Sequence, residues 1–167
     1  MTDKNTHANP NKNRTPRHRA REFALQGLYQ WLLNNEPAAT VVTNIRSAHG
    51  FDKADGEYFT ELLHGTIAQS VELREVIAPT VDRPIAELSP IEHGALLLGA
   101  WELKNKPEVP YRVVINEAVE LAKVYGGTDG HKFVNGVLDK LAGRLREIEV
   151  RAEGRGPGGS QRGEEGT

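Results

Sequence analysis

Residues 89–103, "SPIEHGALLLGAWEL", decide the fold class. Ser89, Pro90 and Glu92 are the start of a helix: serine caps it, proline fits the first helical position, and glutamate reaches back to close a capping box. The ten residues that follow are apolar nearly all round, so the helix has almost no face to offer water and belongs in the middle of a helical bundle. Gly94 and Gly99 each cost about 1 kcal/mol against alanine in a helix interior. Their place in a buried helix predicts close approach by its neighbours.

The pattern stays helical in both directions from this segment. Downstream, Pro107 and Pro110 bracket a short connection, and Val114, Ala118, Leu121, Ala122 and Tyr125 form an apolar stripe closed by Gly126-Gly127 as a C-cap. Thr128 or Asp129 caps a last helix whose seam is Val134, Val137, Leu138, Leu141, Leu145 and Ile148. Upstream, a helix from Asp52 or Asp55 carries Phe59, Leu62, Leu63, Thr66, Ser70, Leu73 and Ile77 and stops before Pro79. A weaker one spans Ala38 to Ala48 on Val41, Val42 and Ile45, with Gly50 as its stop. The first presents Ala20, Phe23, Ala24, Leu28, Trp31 and Leu32 on one face and ends near Asn34-Asn35. No segment alternates with a period of two, so the expectation is an all-α bundle of about six or seven helices.

Composition narrows the function classes. With 167 residues and no cysteine, the chain has room for one core and excludes disulfides, thiolate metal sites and thiol nucleophiles. The six histidines, at 7, 18, 49, 64, 93 and 131, show no metal-binding spacing, so no metal or other cofactor is expected. No secretory h-region or long apolar run is present, which predicts a cytoplasmic protein without membrane association. Residues 1–15 read as a disordered basic arm, 16–150 as the folded domain and 151–167 as a disordered glycine-rich tail. No nucleophile elbow or phosphate-binding glycine loop occurs, and Glu117 and Glu120 read as a solvated face or an internal ion pair, so no catalysis is expected.

The charge is unevenly distributed. The formal net charge is −2, yet Lys4, Lys12, Arg14, Arg17, Arg19 and Arg21 face only Asp3 in the first 21 residues. Arginines at a helix start oppose the helix dipole, a conflict that a bound phosphate backbone resolves. Arg17, Arg19 and Arg21 cannot point one way, because residues two apart lie about 200° around a helix. They call for an anion that wraps the helix start, or for a frayed first turn. Gln26 and Tyr29 add an amide and an aromatic plane further along. Lys132 and Phe133 repeat cation and ring at the last helix, although the seam position of Phe133 also suits the core. Single-stranded RNA fits better than duplex DNA, because unstacked bases are open to aromatics; three phosphate contacts give a log–log salt slope of roughly −2.

"RHRAREFALQGLYQW", "RPIAELSPIEHGALLLGAWEL" and "VPYRVVINEAVELAKVYGGTDGHKFVNGVLDKLA" resemble the NusB family of bacterial transcription antitermination factors, in order and spacing, over residues 17 to about 145. The resemblance implies two packed helical subdomains and no catalytic activity. It implies binding to the boxA element of ribosomal RNA leader transcripts together with NusE, a small-subunit ribosomal protein, in an assembly with RNA polymerase and other Nus factors that suppresses premature termination. By motif it implies RNA contacts at Arg17, Arg19, Arg21, Gln26, Tyr29, Lys132 and Phe133, with Asp129 at the edge of the patch and Glu92 toward NusE. His18 interrupts an arginine run usual in the family, and His93-Gly94 replaces a basic residue and alanine. Self-association over the RNA face is a further possibility the sequence leaves open. The competing classes are a helical interaction module with a merely solvated arm, and an RNA cytosine methyltransferase of the kind to which such domains are fused. The second lacks room for a cofactor domain after residue 150.

Overall fold

The computed structural model describes residues 14–127 and 129–154. These form eight α-helices and no strand: α1 (Pro16–Asn34), α2 (Ala38–Arg46), α3 (Gly56–Ala68), α4 (Ser70–Ile77), α5 (Pro90–Asn105), α6 (Tyr111–Tyr125), α7 (Gly130–Leu145) and α8 (Glu147–Gly154). Short 3-10 turns lie at Phe51–Lys53, Ala78–Thr80 and Ile85–Glu87. None of the described helices is long and apolar enough to cross a membrane.

The segment at 89–103 behaves as its pattern demands. Ser89 Oγ accepts from the Glu92 amide at 3.1 Å, and Glu92 Oε1 accepts from the Ser89 amide at 3.4 Å, closing the capping box. Every residue of α5 from Gly94 to Leu103 is buried, and the helix packs on α1, α3, α4, α6 and α7. It thereby joins a first subdomain, α1–α4, to a second, α5–α8. A Cβ on Gly94 would lie 2.9 Å from Leu25 Cδ1 of α1, and one on Gly99 would lie 2.8 Å from Leu138 Cδ1 of α7. At these two glycines, side chains of α1 and α7 lie too close to the central helix to leave room for a Cβ.

Two single helices of the sequence pattern are broken in two, which raises the helix count. The segment ending at Ile77 turns at Gln69 (φ −102°, ψ 14°), whose side-chain oxygen accepts from Asn105 Nδ2 of α5 at 3.2 Å. The last helix ends at Leu145, and Ile148 is not on its seam but 84% exposed. The buried residue here is Arg146, which donates to the carbonyls of Leu103 (2.7 Å), Lys106 (2.8 Å), Val109 (3.0 Å) and Glu102 (3.3 Å) and to Glu149 (2.6 Å). The carbonyls of Leu103 and Val109, at and just beyond the helix C-terminus, are thus satisfied by one side chain, and those of Glu102 and Lys106, already paired with the Lys106 and Val109 amides, gain a second donor. Apolar periodicity is blind to both breaks: beyond Gln69 the apolar residues Leu73 and Ile77 stay buried, and beyond Leu145 the break is set by the polar contacts of Arg146.

The boundaries move accordingly. Helix α8 crosses the expected edge at 150 and is fastened to α6: the Tyr111 amide donates to Glu149 at 2.9 Å, and the Tyr111 hydroxyl and Arg112 donate to Glu153. At the other end Thr15 caps α1, accepting from the His18 amide at 3.0 Å, and Arg14 pairs with Glu22. The rest of the expected arm and tail, residues 1–13 and 155–167, lies outside the described residues, as does Thr128. Gly126 is extended (φ −101°) rather than left-handed; a Cβ there would lie 2.6 Å from the Ala122 carbonyl oxygen, so close approach to the helix end explains the glycine. Asp129 precedes α7 without a side-chain cap bond.

Candidate nucleic-acid interface

Helix α1 separates the three arginines. Arg21 is only 5% exposed: its Nε and Nη2 donate to the two carboxylate oxygens of Glu102 at 2.9 and 2.8 Å, and its Nη1 lies 3.3 Å from Glu117. The Tyr58 hydroxyl donates to the same Glu102 carboxylate. Burial alone would lower the Arg21 pKa, but the hydrogen bond and charge of Glu102, with Glu117 and Tyr58, raise it above the ordinary arginine value. Burial and the Glu102 charge likewise hold the Tyr58 phenol well above its usual range. Arg21 is therefore a correction to the sequence expectation: it is turned into the bundle, not toward a ligand, and no frayed turn is needed to accommodate it.

Arg17 is exposed, with its guanidinium 3.9 Å from the centre of the Tyr58 ring. Arg19, on the far side of α1, has no hydrogen-bond, ion-pair or ring partner among the described residues. His18 sits between carboxylates, its Nδ1 2.7 Å from Glu117 and its Nε2 3.6 Å from Glu22, so the residue that interrupts the arginine run joins α1 to α6. Glu117 is thus the internal ion-pair partner that its helix spacing allowed.

Arg19 lies two turns before Gln26 on the same helix face. Gln26 and Tyr29 in turn line a groove of about 410 Å3 with Leu25, Gln30, Ile91 and Tyr125. Tyr29 and Tyr125 are 40% and 39% exposed, two rings at the mouth of an apolar cleft. Burial, with the Glu22 carboxylate, keeps the Tyr125 phenol above its ordinary pKa and hence neutral. Sequence reasoning placed Tyr125 on the core stripe and missed it as a groove wall. Its position at the end of that stripe, where a tyrosine buries its ring and wets its hydroxyl, was the available signal.

A second patch opens α7. Lys132 and Asp129 are both well exposed and 3.7 Å apart. Phe133 is half-buried against the core, and Arg83, which sequence reasoning did not single out, stacks 4.3 Å over its ring. With Thr80, Asp82, Gly136, Val137 and Lys140, Lys132 and Phe133 border a crevice of about 180 Å3. Glu92 connects the patches: one oxygen closes the capping box, while the other lies where a Cβ on Gly130 would be 3.1 Å away. Beside it, Arg74 Nε donates to His93 Nε2 at 3.1 Å, and burial, with the Arg74 charge, pushes the His93 pKa down to about 4. Among the described residues no three His, Cys, Asp or Glu side chains are placed to hold a metal ion.

An all-helical bundle with this α1 and α7 has close counterparts. The NusB family model matches residues 18–143. The chain belongs to the NusB family. Transcription antitermination protein NusB of Ralstonia nicotianae is 54% identical over 153 residues, covering 91% of this chain and 99% of the relative. That of Nitrosospira multiformis is 59% identical over 133 residues, covering 80% and 84%. Among solved structures, T. maritima NusB superposes with a TM-score of 0.74 at 27% identity, covering 83% of this chain and 99% of that one. A chain from a crystal structure of the antitermination factors NusB and NusE with double-stranded RNA gives 0.63 at 29% identity, covering 73% and 92%. The all-helical NusB fold, expected from the sequence, is thereby shown.

Proposed function

We propose that this chain is a non-enzymatic transcription antitermination factor that binds boxA-type single-stranded RNA of ribosomal leader transcripts together with a NusE-type ribosomal protein, in the cytoplasm and in an assembly with RNA polymerase and other Nus factors. The observation that carries the reading is the groove on α1, where Gln26, Tyr29 and Tyr125 border an apolar cleft in line with Arg19, which has no partner among the described residues. A cleft with two half-exposed rings suits unstacked bases, while a guanidinium beyond it suits phosphate. Lys132 and Phe133, with Asp129 at their edge, form the second RNA patch, and Glu92 the start of the partner surface. The solved relative that carries NusE holds double-stranded RNA, which makes a duplex the competing ligand.

Fluorescence anisotropy tests this with a boxA-like single strand, a scrambled strand and a duplex, each at two salt concentrations, with and without the NusE-type protein. Selective binding of the boxA-like strand, strengthened by the partner and reduced at least tenfold in Gln26→Ala/Tyr29→Ala, is the expected outcome. Partner binding with no gain in affinity for any RNA would leave an interaction module instead.

A further inference from the structure

We propose that Arg21 is a positioning residue for RNA binding: its buried contact with Glu102 and Tyr58 fixes the rotation of α1 on the bundle and so aims Arg19, Gln26 and Tyr29, without itself touching RNA. The proposal rests on the function proposed above.

The geometry carries it. The Arg21 guanidinium engages both oxygens of Glu102 at 2.9 and 2.8 Å, and that carboxylate belongs to α5, the buried centre of the fold. A two-pronged contact between planar groups resists rotation in a way that a point charge does not. Small, fully buried Ala20 and Ala24 flank Arg21, and the first large apolar anchors of this face, Leu25 and Leu28, come a turn or more later, so apolar packing does less to fix the rotation at the end where the arginines lie. Further along that face comes Gly27, against Leu63 and Val41. The clamp is extended by Glu117 of α6, which lies 3.3 Å from Arg21 and 2.7 Å from His18. Helix α1 is therefore held in rotation by ionic contacts to α5 and α6 at the end where the arginines lie.

The consequence for the ligand face follows from helix geometry. On a helix of about 5–6 Å outer radius, a slip of about 20° moves a side-chain end by roughly 2 Å. A hydrogen bond does not survive that displacement, since its donor–acceptor distance is confined to about 2.7–3.2 Å. Arg19 and Gln26 lie across the helix from Arg21, so the contact that turns Arg21 inward turns them outward.

Glu102 is 2% exposed and lies on another helix, so Glu102→Gln weakens the clamp while leaving every arginine in place. Anisotropy salt titrations with a boxA-like strand are run at a temperature where circular dichroism shows both proteins folded. The expected result is a loss of affinity of about fivefold to tenfold with an unchanged log–log salt slope, whereas Arg19→Ala lowers the slope by about 0.7. Tyr58→Phe, which removes only the hydroxyl from the same carboxylate, gives a smaller loss in the same direction and serves if Glu102→Gln does not fold. Unchanged affinity in a folded variant that melts lower means that the contact only stabilises, and overturns the proposal. Tighter binding with a steeper slope means that Arg21, once released, reaches phosphate, and overturns it too. Failure of the unaltered protein to bind RNA overturns the proposed function and this proposal with it; binding by the unaltered protein separates the two.

Discussion

His93 accepts a hydrogen bond from Arg74 and is held neutral, its pKa pushed from 6.5 down to about 4, first by burial and then by the Arg74 charge. The unfolded chain binds this proton more readily than the folded one. The stability is therefore complete above about pH 6.5 and is lost as the pH falls toward about 4. Urea unfolding at pH 7, 5 and 4 checks this: His93→Gln, which keeps an acceptor for Arg74 but cannot titrate, is expected to lose less stability over that interval than the unaltered chain. The arginines of α1 give a second prediction at this scale. Arg19→Ala is expected to weaken RNA binding more at low salt than at high salt, as loss of a phosphate contact requires. The arginine cluster was visible in the sequence, and so was the impossibility of its pointing one way. The outcome for each arginine was not, because Glu102 lies 81 positions from Arg21 and no local pattern links them.

Elements show the reverse balance. Helix starts are written locally, and the capping box at Ser89 was legible from four residues. Ser89→Ala is expected to cost about 1 kcal/mol in chemical denaturation, the usual value of a lost N-cap. Helix α3 carries a less visible constraint, for a Cβ on Gly65 would lie 2.5–2.6 Å from the indole of Trp101. A buried indole cannot swing aside as a chain end does. Gly65→Ala is therefore expected to destabilise by about 1–3 kcal/mol, despite its better helix propensity, and to change Trp101 fluorescence. The breaks at Gln69 and Arg146 were not legible, since their causes, Asn105 and the carbonyls at the end of α5, lie more than 30 residues away.

Across the whole molecule, the two subdomains share one central helix and are tied again by α1, whose His18 and Arg21 reach Glu117 of α6 and Glu102 of α5. The candidate RNA groove lies at this junction, with walls from α1, from Ile91 of α5 and from Tyr125 of α6. Loosening the second subdomain should therefore weaken binding at residues of the first. Arg146→Met removes the donor from four backbone carbonyls and is expected to cost at least about 3 kcal/mol, measured by thermal unfolding, and to release α8.

Arg146 also has a meaning in time. A ribosome delivers the chain from its N-terminus, and the carbonyls that this side chain satisfies, from Glu102 to Val109, are synthesised some 37 to 44 residues before it. Until Arg146 emerges, the Leu103 and Val109 carbonyls have only water to bond, and the second subdomain cannot close over the end of the central helix.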